Sequence, residues 1–215
     1  MEKSFIIMNI LHYSTLLIVL FVGSITFRRL STGQKIILVG KCFDLGLAVY
    51  GSIRIYNGLY SVPVVSVAEF IWLGIQLVYV DHELRIMRNK KLFRILGVLF
   101  LSIIPLHWIF FGGLNYRGVS QTLISLYLII AYFYCITYRP VNTSGQLLRW
   151  GLLLSITCNF LFAVFVDYIT WKMQIDFGDT LIMLYYRVVD VEQLLITISF
   201  LLAYFQKKKT LQLQE

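Results

Sequence analysis

The sequence predicts an all-α polytopic membrane protein with seven transmembrane helices, the N-terminus outside and the C-terminus in the cytoplasm. Three observations predict it. Of 215 residues, 59% are hydrophobic and only 14% charged, with a mean hydropathy of +0.77, where a soluble domain needs roughly a quarter of its residues charged to cover its surface. The apolar residues come in long runs rather than in stripes. The basic residues fall in the gaps between those runs. The expected localisation is the cell (inner) membrane, with the lipid bilayer as solvent.

A span needs about 20 mostly apolar residues to cross roughly 30 Å of hydrocarbon. Seven segments qualify, at 5–27, 36–59, 64–80, 92–114, 120–138, 148–171 and 181–205. Backbone polar groups in lipid must pair within the segment, and runs of this length without period-two alternation are helices rather than barrel strands. The first segment is too long for the core of a secretory signal, and Arg28 and Arg29 follow it directly with no small-residue cleavage site, so it reads as a retained helix.

Charge sets the orientation. The first, third and fifth connections and the tail carry thirteen basic residues: Arg28, Arg29, Lys35, Arg85, Arg88, Lys90, Lys91, Arg94, Arg139, Arg149 and Lys207 to Lys209. The opposite side has Lys3, Arg117 and Lys172. Excess Lys and Arg mark the cytoplasmic side. Tyr56, Tyr60, Trp108, Tyr116, Trp171 and Tyr185 gather near the expected outer boundary, as an interfacial aromatic belt does. This placement of the +8 net charge gives nucleic-acid binding little support. Cys42, Cys135 and Cys158 lie inside apolar segments without ligand spacing and read as small packing residues.

Ionisable residues inside a span cost about 2.5–3.5 kcal/mol each on the insertion scale and need a partner or a polar cavity. The chain places Lys41, Asp44, Arg54, Glu69, Asp167, Arg187, Asp190 and Glu192 there. Counting depth from the span ends pairs Arg54 with Glu69 and Asp167 with Arg187 as structural ion pairs bracing two hairpins. Arg187 and Asp190, three apart, share a helix face. Lys41 and Asp44 also stand three apart, near the cytoplasmic end, with Lys41 expected to snorkel outward while neutralising Asp44. Glu192 is expected to lack a nearby cation. Glu69, His107, Asp190, Glu192, Tyr50 and Tyr186 are the expected ligand-binding set, lining a polar pocket open to the outside between helices 2, 3, 4, 6 and 7. Gln76 and Asn159 are expected to be interhelical hydrogen-bond formers.

Catalytic motifs such as HExxH, GxSxG and the P-loop are absent, and Asp190 and Glu192, two apart, face different ways. The Asp81, His82, Glu83 run reads as a solvated helix end. No enzyme activity, cofactor or metal is expected.

The chain reads as one domain over 1–215, with parallel repeats 5–80 and 120–205 joined by the helix 92–114. The inner turn from Arg29 to Gln34 is echoed by that from Val141 to Gln146, each ending in Gly-Gln. Ala48, Val49, Tyr50 are echoed by Ala163, Val164, Phe165, and Glu69 by Glu192. With Pro63 and Gly178-Asp179 at the entries to helices 3 and 7, this resembles the PQ-loop superfamily of sugar facilitators and lumenal-peptide receptors. The resemblance implies a three-one-three helix plan. Gly33 and Gly145 stand where that family has proline, and its helix 3 and 7 asparagines are missing, so no binding residue carries over. The functional expectation is a small-solute transporter or facilitator, with or without proton linkage, acting on a small polar solute. The alternatives are a seven-helix receptor with a cytoplasmic protein docked on the basic 85–94 segment, and an oligomeric effector or structural subunit.

Overall fold

The computed structural model describes the backbone of residues 2–57, 62–84, 90–110, 118–139, 141–172 and 175–212, and side chains from residue 10 to 206 within those stretches apart from Ile55, 62–66, Lys90, 118–120, 165–183 and Tyr185. It is all α: α1 (Glu2–Thr26), α2 (Thr32–Tyr56), α3 (Val62–Glu83), α4 (Lys90–Phe110), α5 (Gly118–Tyr138), α6 (Thr143–Lys172) and α7 (Ile175–Gln212), with a short 3-10 turn at Phe27–Arg29 after α1. The described part of each of the seven expected segments falls on one of these helices, save Phe27 and Asn57 at two segment ends. Among the described residues, six helices are long and apolar enough to cross a membrane. The sixfold set leaves out α3, whose described stretch holds Glu69, Asp81 and Glu83. At 1.5 Å per residue, the 38-residue α7 is about 57 Å long, well beyond the hydrocarbon thickness.

Local chemistry explains where the helices begin. Ser31 caps α2 in a reciprocal box: the Gln34 N–H donates to Ser31 Oγ at 3.3 Å, and the Ser31 N–H donates to Gln34 Oε1 at 3.0 Å. At the start of α6, Asn142 Oδ1 accepts the Gly145 N–H at 3.0 Å. Pro63 stands in the first turn of α3, where a missing N–H removes no helical hydrogen bond.

The main packing pairs trace a closed ring, α1–α2–α3–α5–α6–α7 and back to α1, with α4 lying against α3 and α5. Leu73, Leu128, Leu152, Ile196 and Phe200 are buried inside it, while Leu92, Ile95, Val98, Leu99 and Ile109 of α4 are exposed, as lipid-facing residues are in a membrane bundle. Two glycines permit close approaches. A Cβ on Gly97 would lie 2.3 Å from Leu77 Cδ1 and 3.1 Å from Tyr127 Oη, and one on Gly151 would lie 3.1 Å from Leu195 Cβ. Small residues at such crossings let apolar helices pack by van der Waals contact where lipid provides no hydrophobic drive.

Candidate functional site

Charged side chains from α2 and α7 meet inside the ring. Lys41 Nζ lies 3.3 Å from Glu192 Oε1 and 3.3 Å from Asp44 Oδ2. It also sits 4.0 Å from the centroid of the Trp72 ring, a cation–π contact from α3. The Lys41 side chain is 2% exposed and that of Glu192 1%, whereas Asp44 keeps 27%. The Ser155 side chain of α6 lies beside the Glu192 carboxylate. The expected Lys41–Asp44 pair is therefore present, but two expectations are corrected. Lys41 does not snorkel outward, because a second carboxylate and an aromatic face hold it inside. Glu192 does have a nearby cation, which comes from a helix 151 residues earlier in the chain.

Beside this pair, α7 turns Asp190 toward α1. His12 Nδ1 is 3.2 Å from Asp190 Oδ1, the Thr15 hydroxyl donates to the same oxygen at 3.4 Å, and Arg187 Nη1 donates to Oδ2 at 3.3 Å. Thr15 also bonds the Gln193 side chain. Tyr186 meets the His12 ring edge-on at 5.4 Å. Asp190 and Glu192 do face apart, as their spacing predicted, and each has its own partners.

The remaining expected site residues with described side chains lie on α2, α3 and α4. Tyr50 is 51% exposed on the outer surface of α2, so it does not line an interior pocket. Its neighbour Val49 is equally exposed, which places this turn of α2 on the lipid side. His107 is half-buried on α4, which packs against α3 and α5. Arg54 and Glu69 are half-buried on α2 and α3. The Asp167 side chain, and with it the expected pairing to Arg187, lies outside the described residues, as do residues 85–89 of the basic segment.

A second polar cluster sits at the basic end of the bundle. Arg149 of α6 is fully buried and donates to the backbone oxygens of Cys135 at 2.8 Å and Arg139 at 2.6 Å, while pairing with the Glu83 carboxylate. Arg139 lies 3.2 Å from Glu83 Oε2 and donates to the Glu83 carbonyl. Between this cluster and α7, Gln34 Nε2 donates to Ser144 Oγ at 2.7 Å and Ser199 Oγ at 2.9 Å, and Ser199 donates to the Ser144 carbonyl at 2.8 Å. The helix end at Glu83 is thus not solvated as expected. Asp81 is: it takes a two-pronged bond from Arg94 at 2.7 and 2.9 Å on an exposed surface.

Sequence reasoning missed His12, Thr15, Trp72, Ser155 and Gln193 around the α7 acids, and Glu83 with Arg149 at the basic end. Gln76 and Asn159 do join helices, to Tyr132 at 3.1 Å and Gln121 at 3.3 Å. Among the described residues no group of three His, Cys, Asp or Glu side chains is placed to hold a metal ion. Comparison of the chain with protein-family models, with characterised proteins and with solved structures finds no match.

Proposed function

We propose that this chain is a small-solute transporter that crosses the membrane seven times with its N-terminus outside, and that the ionic groups joining α1, α2 and α7 are its coupling site. The observation that carries this is the Lys41–Glu192 pair, both side chains 2% exposed or less and each contributed by a different helix. Fixing the register of two helices needs one such pair. Here five ionisable side chains on three helices, His12, Lys41, Asp44, Asp190 and Glu192, form adjoining clusters inside apolar segments, where such residues commonly mark ion and substrate paths.

The geometry suggests how they work. Lys41 is shared by two carboxylates, so it can release Glu192 and remain paired with the partly exposed Asp44. Glu192 is then open to a proton or to a cationic group on a solute, and α7 is freed from α2. Alternating access built on one helix group moving against another uses such an exchange of partners. Seven residues on from Glu192, and so on the same face of α7, the buried Ser199 accepts a hydrogen bond from Gln34, which extends that polar face toward the basic end. The Gly33-Gln34 and Gly145-Gln146 turns at the starts of α2 and α6 support the parallel-repeat plan of the PQ-loop resemblance.

Reconstitution in liposomes with a panel of small polar solutes and a lumenal pH dye tests the proposal. Flux that is lost in E192Q and K41M, with the folded protein recovered intact, is the expected result. Saturable solute binding without flux would identify a receptor instead. Flux or binding unchanged by both substitutions would leave the charges a bracing role only.

A further inference from the structure

The basic end of the bundle holds a cavity of about 150 Å³ where the N-termini of α2 and α6 converge. Ser31 and Gln34 reach it from α2, Asn142 from the start of α6, and Glu83, Arg139 and Arg149 from the cluster already described. We infer that this cavity is a binding site for a small oxyanion, a phosphate or carboxylate group, entering from the basic end.

Three features favour that occupant. Two guanidinium groups share one carboxylate, Glu83 Oε2, leaving a surplus of one positive charge among these three groups. Two helix N-termini face the same space, each equivalent to roughly half a positive charge. Arg149 has no exposed surface, yet its Nε has no hydrogen-bond partner, a buried donor left over after its other nitrogens are engaged. A guanidinium fork matches the oxygens of phosphate or carboxylate. A cation would meet the surplus charge, and the volume is below the roughly 300–1,000 Å³ of sites for drug-sized ligands. Gly33 keeps the space open: a Cβ there would stand 2.9 Å from the Tyr79 ring and 3.2 Å from Glu83 Oε1.

The site is separate from the Lys41–Glu192 pair, and its test reads binding rather than flux, so either proposal can fail alone. The full chain in nanodiscs of zwitterionic lipid is titrated with inorganic phosphate at constant ionic strength, balanced with chloride, and followed by calorimetry and thermal unfolding. Saturable phosphate binding with a rise in unfolding temperature is expected. Arg139→Gln removes one fork while leaving Arg149 on Glu83, and should weaken binding about tenfold or more. Asn142→Asp keeps a good helix cap on an exposed residue but adds a negative charge at the rim, and should weaken it likewise. Repeating the titration with phosphatidylglycerol in the nanodisc identifies the natural source: competition points to a lipid headgroup, undiminished affinity to a free solute, and both uphold the site. Equal effects of phosphate and chloride, or wild-type affinity in both folded variants, would overturn it.

Discussion

Removing Lys41 should cost more stability than removing Glu192, although the two form one ion pair. In Lys41→Met the Glu192 carboxylate, 1% exposed, is left with only the Ser155 hydroxyl among its named partners. Breaking a buried pair from one side costs about 3–5 kcal/mol, because the remaining charge is uncompensated. Methionine keeps much of the packing against Trp72, so the loss is chiefly electrostatic. In Glu192→Met, by contrast, Lys41 retains Asp44 at 3.3 Å and the Trp72 face at 4.0 Å, and the cost should fall to about 1–3 kcal/mol. The double variant leaves only Asp44 without its partner, and at 27% exposure it is partly solvated, so the total should be about 1–2 kcal/mol. Equilibrium unfolding of the purified protein in mixed micelles, arranged as a double-mutant cycle, measures all three. A cost for Glu192→Met equal to or above that for Lys41→Met, or a double-variant cost equal to the sum of the singles, would refute this account of the pair.

Other expectations are simpler to check. Arg149→Lys should destabilise by about 2–4 kcal/mol in the same unfolding assay, since one ammonium cannot serve Cys135, Arg139 and Glu83 in three directions as the planar fork does. Gly40→Ala should cost about 1–3 kcal/mol, because its Cβ would lie 2.7 Å from the Trp72 ring and 2.9 Å from Ile75 Cγ2. Gly46→Ala, on the same helix with nothing within 4 Å, should be neutral or stabilising by up to about 1 kcal/mol, and serves as the control in thermal melts. In a background lacking Cys42, Cys135 and Cys158, single cysteines at Asn57 and Lys91 should react with impermeant reagents from opposite sides; labelling from one side would show that α3 does not cross.

The helices were legible because their signal is local: apolar length, loop charge and caps such as Ser31 are written in adjacent residues. The i,i+3 pairs Lys41–Asp44 and Arg187–Asp190 were legible for the same reason. Depth counting gives a residue's height in the bilayer but not the direction in which it faces. It therefore put Tyr50 inside, left Glu192 without a cation and could not find His12, 178 positions from its partner Asp190. Arg149 was counted as one more loop charge because it is only six residues into its helix, and nothing in its neighbours marks it as the centre of a buried cluster. Short polar residues such as Ser144, Ser155 and Ser199 scarcely alter hydropathy, so their contacts with Gln34 and Glu192 become visible only when α2, α6 and α7 are brought together.

The closing of the ring between α1 and α7 bears on how the chain is made. Lys41 leaves the ribosome 151 residues before Glu192, an interval of roughly 8–30 s at about 5–20 residues per second. During that time its ammonium must be tolerated without its final mate. Asp44, one turn away on the same helix, can shelter it from the moment α2 forms, as an escort during biogenesis that remains as a bystander once the last helix docks.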